Sequence, residues 1–75
     1  MGDRYEMHLS TRNQLTGTVE SVQLGGIMAS VKVRLLSNET ITAAITREAA
    51  EELNLGEGTE VTVLIKATEV MLATE

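Results

Sequence analysis

The chain contains no cysteine, proline, phenylalanine or tryptophan, and Tyr5 is its single aromatic residue. Without cysteine it has neither disulfides nor thiolate metal sites to stabilise it. A core of Val, Ile, Leu, Ala and Met, without large rings, is thin. At 75 residues the chain forms one domain at most, and a domain of this size is only marginally stable alone. We therefore expect a homo-oligomer.

Positive charge is also scarce. The formal net charge is −5, from 11 acidic and 6 basic residues. Proteins that bind duplex or single-stranded nucleic acid usually present a basic face and often stacking aromatic rings, so we expect no nucleic-acid partner. The acidic balance still permits local capture of a small anion, because salt screens the distant carboxylates.

Long apolar runs are missing as well. No run is long enough to cross a membrane, and residues 1–6 are not followed by the apolar region of a signal peptide. We predict a cytoplasmic protein with no membrane partner. Residues 1–6 are predicted to be a flexible N-terminus and residues 7–73 a single domain. Because the chain starts with Met1 and ends soon after Leu72, we expect a complete small protein.

Alternation of apolar and polar residues predicts a mainly β chain. Residues 27–35 alternate cleanly, which is typical of a half-buried strand, and residues 16–24 form another β-rich segment before them. The pair Gly25-Gly26 between these segments predicts a hairpin turn, because glycine adopts positive φ without strain. Residues 41–45, 61–65 and 70–72 are predicted to be three further strands.

One segment departs from the β pattern. Residues 46–55 are rich in helix formers, with Thr46 as the expected N-cap and Glu48 in the first turn. Asn54 or Gly56 is expected to end the helix in a left-handed conformation. A short helix between strands 3 and 4 predicts a small, all-β, five-stranded OB-like barrel. Residues 6–10 are predicted to add an edge strand, paired with a neighbouring subunit.

Three polar elements offer the groups that hold a small oxyanion, namely hydroxyls, backbone N–H groups and two cations. In the first element, Ser10 and Arg12 point to the same side if the chain is extended. The second is Thr46, at the predicted junction of strand and helix. In the third, Lys66 is out of phase with the inward residues of its strand, so it faces away from the barrel interior, and Ala67 and Thr68 follow it.

Nothing in the sequence indicates catalysis. His8 is the only histidine and forms no metal site, so we expect it on the surface. Glu51 and Glu52 are neighbours on the predicted helix and diverge, so they form no acid–base pair. The sequence contains no Ser-His-Asp set, phosphate-binding loop or dinucleotide fingerprint. We therefore expect a binding protein rather than an enzyme.

The three polar elements stand in longer motifs: Ser10-x-Arg12-Asn13-Gln14-Leu15-x-Gly17-x-Val19, Thr42-Ala43-Ala44-Ile45-Thr46 and Ile65-Lys66-Ala67-Thr68-x-Val70-Met71. Over residues 7–72 these motifs resemble the Mop domain of the molbindins. That family is related to the TOBE domains of molybdate-responsive regulators and molybdate transporter ATPases. The resemblance implies an OB-like barrel with an N-terminal strand exchanged between subunits. It also implies hexamers built as trimers of dimers.

The function that the resemblance implies is binding of molybdate or tungstate between subunits, for intracellular storage or homeostasis of molybdenum. No covalent cofactor is implied, and no side chain ligates the metal, because the metal is bound as its oxyanion. The family also has a second type of site on symmetry axes, made largely of main-chain groups, whose residues we do not assign. By resemblance, the residues that contact the anion in the first site are Ser10, Arg12, Thr46, Lys66 and Ala67, with Asn13 and Thr68 as further candidates.

Two other functions remain open at this point. An OB-like barrel also serves as an interaction module for nucleic acid or a protein partner. Alternatively, the chain is an isolated regulatory domain of a molybdate-responsive regulator or transporter.

Overall fold

The structure is a computed structural model, and it describes residues 12–75. The predicted flexible N-terminus, the predicted edge strand at residues 6–10, His8 and Ser10 lie outside the described residues. Four of the predicted strands and the helix form within a few residues of their predicted positions. The elements are β1 (Asn13–Leu24), β2 (Met28–Leu35), β3 (Thr40–Thr46), α1 (Arg47–Glu52), β4 (Glu60–Ile65) and a 3₁₀ turn (Ala67–Glu69).

The strands form one antiparallel sheet in the order β3-β2-β1-β4. Strand β1 is 12 residues long and pairs with β4 through its first half and with β2 through its second half. A bulge between Val19 and Ser21 shifts the β1–β2 register. Bulges bend a strand and increase its twist, so this one lets the sheet curl around its apolar face. Helix α1 lies between strands β3 and β4, as predicted.

The core is small. Val19, Val31 and Val33 form its buried centre, and Ala29 and Ala50 are buried as well. Ala29, Val31 and Val33 occupy the inward positions that alternation predicted on β2. Ala50 belongs to helix α1. The partly buried residues that pack against the centre are Val22, Leu35, Ile45, Leu55, Val61 and Val63.

The loop after α1 is bonded to the bulge of β1. Asn54 has a φ of 57°, so the helix ends in the left-handed conformation predicted for this position. Gly58 has a φ of 92°, and its N–H donates to the Val19 carbonyl at 2.9 Å. The Val19 N–H in turn donates to the Thr59 carbonyl at 2.8 Å. This pair of bonds holds the start of β4 against the middle of β1.

The hairpin turn predicted at Gly25-Gly26 is confirmed, but the reason given for it is wrong. Neither glycine has a φ in the left-handed region. The Gly25 N–H donates to the Met28 carbonyl at 2.7 Å. A Cβ on Gly25 would lie 2.9 Å from that same oxygen. Close approach of the backbone therefore requires glycine at this position.

The prediction of a strand at residues 70–72 is also wrong. The chain leaves β4 after Ile65, forms the 3₁₀ turn, and has no strand after it within the described residues. The described part of the chain therefore holds four strands and not the five of the predicted barrel. The apolar run there does not reflect burial in the sheet, because Met71 and Leu72 are 91% and 93% exposed.

Gly17 lies close against β2. A Cβ on Gly17 would lie 2.6 Å from Val33 Cγ1 and 2.8 Å from the Arg34 carbonyl oxygen. We expect Gly17→Ala to lower the free energy of unfolding by about 1–3 kcal/mol, because the buried strands must separate. Urea unfolding at one fixed protein concentration measures the change. Gly56→Ala is the control, since nothing lies within 4 Å of its added Cβ. Equal stability of the two variants contradicts this packing.

Candidate functional site

The first polar element lies where the described chain enters the sheet. Arg12 directly precedes β1 and is exposed. Asn13 is the first residue of β1 and is half-buried. Ser10, the third member of this element, lies outside the described residues.

The third polar element lies where β4 ends. Lys66 directly follows Ile65 and is the N-cap residue of the 3₁₀ turn, with φ −64° and ψ 135° and no capping bond from its side chain. The first N–H that the turn uses is that of Glu69, which donates to the Lys66 carbonyl at 2.9 Å. The turn itself therefore leaves the N–H groups of Ala67 and Thr68 unused. All three candidate residues of this element are exposed.

Strand pairing brings these two elements together. Asn13 of β1 is the register partner of Ile65 of β4. The Asn13 side-chain nitrogen Nδ2 also donates to the Ile65 carbonyl oxygen at 3.1 Å. Arg12 and Lys66 stand one residue beyond this pair, so the two cations lie side by side at the end of the β1–β4 ladder.

No described carboxylate neutralises either cation. The ion pairs among residues 12–75 join Arg34 with Glu20 and Arg47 with Glu51. Like charges on directly opposite residues of neighbouring strands repel each other. Among residues 12–75, the end of the β1–β4 ladder therefore carries two cations that no carboxylate pairs with, on a chain whose net charge is negative. An anion placed between Arg12 and Lys66 would relieve that repulsion.

Thr46 lies elsewhere, at the junction of β3 and α1. Its hydroxyl accepts a hydrogen bond from the Ala49 N–H at 3.0 Å, so the predicted N-cap is confirmed. The N–H of Arg47 is also occupied, because it donates to the Ile27 carbonyl at 2.7 Å. Two of the N–H groups at the N-terminus of the six-residue helix α1 therefore already have acceptors within the same chain.

Within one subunit, Thr46 does not join the other candidates. It pairs with Met28, at the end of the sheet where β1 finishes. Asn13 stands at the opposite end of β1, and a strand of 12 residues rises roughly 35 Å along its length. The structure therefore brings together Arg12, Asn13, Lys66, Ala67 and Thr68, and separates Thr46 from them.

Exposed apolar side chains flank both groups. At the end of the sheet that carries the cations, Leu36 is 83% exposed and lies in one hollow with Leu15. The exposed residues Met71 and Leu72 follow Val70, the C-cap of the 3₁₀ turn. At the end that carries Thr46, Ile27 is 80% exposed and lies in one hollow with Thr46. Exposed apolar residues gathered in this way are typical of surfaces that contact other proteins.

Sequence reasoning missed two bonds that shape these ends. It treated the Asn13 amide as a free group, although Asn13 shares the phase of the buried residues Gly17 and Val19, which was a usable signal. It also missed the role of Arg47, whose Nη1 donates to the Gly25 carbonyl at 3.0 Å and so holds the β1–β2 hairpin against α1. No sequence pattern predicts this contact between Arg47 and Gly25.

Across residues 12–75, no three His, Cys, Asp or Glu residues stand close enough together to hold a metal ion. The same range contains no helix of the length and apolar character needed to span a membrane.

Comparison with known proteins matches the chain to the TOBE domain over residues 9–72. Molybdenum-pterin-binding protein 3 of Clostridium pasteurianum is 39% identical over 66 residues, which is 88% of this chain and 97% of that protein. Molybdenum transport protein ModE of Azotobacter vinelandii is 44% identical over 69 residues, which is 92% of this chain and 26% of that protein. The chain thus spans only about a quarter of ModE.

A solved structure supports the fold. The molybdate-binding protein from Sporomusa ovata superimposes with a TM-score of 0.86 at 35% identity, covering 91% of this chain and 100% of that one. The predicted OB-like architecture, with a helix between strands 3 and 4, is confirmed at this level.

The cap at Thr46 is testable apart from any ligand. We expect Thr46→Ala to lower the free energy of unfolding by about 1 kcal/mol, because the Ala49 N–H loses its acceptor. Thr46→Ser is the matched control, because it keeps the hydroxyl, and its stability is expected to stay near that of the parent protein. Urea unfolding without added anion, at one protein concentration, measures both. Equal stability of the alanine and serine variants would show that the cap contributes nothing.

Proposed function

The chain belongs to the TOBE domain family, and we propose that it binds molybdate at a site built around Arg12 and Lys66. The resemblance to the molbindins noted from the motifs is confirmed by the comparisons. Two relatives that match over nearly their whole length are named for molybdenum-pterin and molybdate binding. The observation in this chain that carries the proposal is the pairing of two cations, without a described carboxylate, at the end of the β1–β4 ladder.

The chemistry of these groups suits a tetrahedral dianion. Molybdate presents four oxygen acceptors and needs only donors in return. Arg12 contributes a planar fork of N–H groups, and Lys66 a compact charge. Each charge-assisted hydrogen bond contributes about 1.5–3 kcal/mol, so a handful offset the dehydration of the anion. The N–H groups of Ala67 and Thr68, which the turn leaves unused, supply further donors without adding charge.

Tungstate has the same shape and charge as molybdate, so the proposal includes it. Sulfate and phosphate offer similar oxygens on a smaller ion, and donors spaced for the larger ion leave bonds to them unmade. Phosphate also carries a proton near neutral pH, and that proton needs an acceptor which the proposed set lacks. Discrimination thus depends on the spacing of Arg12 and Lys66.

A second copy of the chain completes the proposed site. Thr46 is a candidate ligand, yet within one chain it stands at the opposite end of the sheet from Lys66. For both to contact one anion, Thr46 must come from a neighbouring subunit. The exposed apolar residues at each end, Leu36 and Ile27 among them, give those ends surface to bury against each other. The hexamer of three dimers stays a prediction within this proposal.

The role proposed for the site is storage or homeostasis of the anion inside the cell, without catalysis. The cytoplasmic location expected from the sequence stays a prediction. The match to about a quarter of ModE favours one alternative, in which this sequence corresponds to an anion-binding domain of a larger regulator. That alternative keeps the same site and ligand and differs in what the bound anion controls.

Binding and its dependence on the two cations are measured by isothermal titration with molybdate, tungstate and sulfate. We expect tight binding of the first two anions and weak binding of sulfate. Arg12→Ala and Lys66→Ala should each weaken molybdate binding about tenfold to a hundredfold, because each removes a charge-assisted bond. Lys32→Ala is the matched control, because Lys32 is exposed on β2 and pairs there with Ser21 and Thr42.

Native mass spectrometry of the same samples checks that the oligomer remains assembled. Equal, weak heats for all three anions would contradict the proposed function. Unchanged molybdate affinity in both the Arg12 and Lys66 variants would remove the proposed site.

Subunit mixing tests the contribution of a second copy. We expect Arg12→Ala and Thr46→Ala proteins to bind molybdate poorly when each is pure. Co-refolded together, they should regain about a quarter of the parent's sites if the oligomer is built of symmetric dimers, because a mixed dimer holds one site free of both changes. Titration of the mixture against the pure variants measures the gain. No gain in mixtures whose subunits have exchanged, as judged by native mass spectrometry, contradicts a shared site.

A further inference from the structure

We infer that Asn13 is a positioning residue whose side-chain amide holds the Lys66 turn against the Arg12 end of β1, so that it sets the spacing of the two cations. The expected consequence of this positioning is selectivity between large and small tetrahedral oxyanions, and that consequence rests on the proposed function. The positioning itself depends only on contacts within this chain. It also gives Asn13 a different role from that of anion ligand, which the sequence motifs implied.

The bond that carries the inference joins two strand ends. Asn13 Nδ2 donates to the Ile65 carbonyl oxygen at 3.1 Å, between residues far apart in sequence and in a partly buried setting. That carbonyl belongs to the peptide unit that links Ile65 to Lys66, and a peptide unit is planar. Holding the carbonyl therefore also orients the N–H of Lys66 and the direction in which the chain leaves β4.

The side chain of Asn13 faces away from the proposed anion site. Asn13 has the phase of Gly17 and Val19, the two buried residues of β1. Successive side chains of an extended chain point to opposite faces, so Arg12 and Asn13 diverge. An amide that donates to Ile65 from the inward face is placed to hold the backbone rather than to reach an anion on the other side of the strand.

The ladder needs such a tie at this point. The β1–β4 pairing ends with Asn13 and Ile65, and strand ends open more easily than strand centres. Directly beyond them, Arg12 and Lys66 repel each other when no anion is bound. The bond of Asn13 opposes both effects, because it links the last pair by a side chain in addition to the backbone.

Fixed spacing is what makes donors selective. Donors held apart for a large anion cannot all reach a smaller one, so the smaller anion leaves some of them unpaired. If the strand end is loosened, the donors can close around either ion. The ion that binds must then order them, which costs binding free energy. Loss of the Asn13 bond should therefore weaken molybdate binding more than sulfate binding, whereas a general folding defect lowers the binding of both.

The test compares Asn13→Ala and Asn13→Ser with the parent protein. Gln23→Ala is the matched control, since it removes an exposed amide at the other end of the same strand. Titration gives the dissociation constants for molybdate and sulfate, and two-dimensional NMR of anion-free protein gives the backbone amide shifts of residues 66–68. We expect both Asn13 variants to lose about tenfold in the ratio of molybdate to sulfate affinity. We also expect them to shift these amide signals before any anion is added, while Gln23→Ala changes neither.

Two results would overturn the inference. In one, both Asn13 variants keep the parent's selectivity and the parent's amide shifts. In the other, molybdate binding falls while the anion-free amide signals stay in place, as expected of a direct ligand. If the parent protein itself binds no molybdate, the proposed function fails separately, and the amide shifts of the anion-free variants still decide whether Asn13 holds the turn. The serine variant keeps the test valid if alanine prevents folding.

Discussion

The pairing of β1 with β4 is the constraint on which the rest of the site depends. These strands are far apart in the sequence, and their register places Asn13 opposite Ile65. Arg12 and Lys66, each one residue further along, are therefore neighbours although they are 54 positions apart in the sequence. Two cations side by side, with no carboxylate of the described part of the chain paired to either, are unfavourable in the folded chain alone. The arrangement is explained if their partner is an anion that arrives from solution.

Strand β1 also explains why one copy of the chain is not enough. Its 12 residues pair with β4 at one end and β2 at the other, so they hold the sheet together while carrying the polar elements to opposite ends. A core centred on Val19, Val31 and Val33 leaves many apolar side chains at those ends exposed. Association of copies would bury that surface and bring Thr46 of one subunit to Lys66 of another. Stability and anion binding would then share one physical origin.

Much of the fold was predictable because its signals are local. Alternation marks which residues face the core, and it located strands β1 to β4 within a few residues. The helix was predictable from its helix-forming residues and from the Thr46 hydroxyl, which caps it in the structure. The failed prediction at residues 70–72 rested on a short apolar run, and it failed because a strand also needs a partner strand beside it. An apolar run does not reveal whether the 3₁₀ turn at Ala67–Glu69 has already carried the chain away from the sheet.

The sequence by itself determined the chemical groups: few cations, one motif at each end of the domain, and a thin core without rings. Through the same motifs it determined the family. Only the tertiary structure decided which of those groups meet. It put Arg12 beside Lys66, engaged the amide of Asn13 with Ile65, and sent Thr46 to the far end. The physical reason is that register between distant strands depends on the packing of the whole sheet, whereas a motif records only neighbours along the chain.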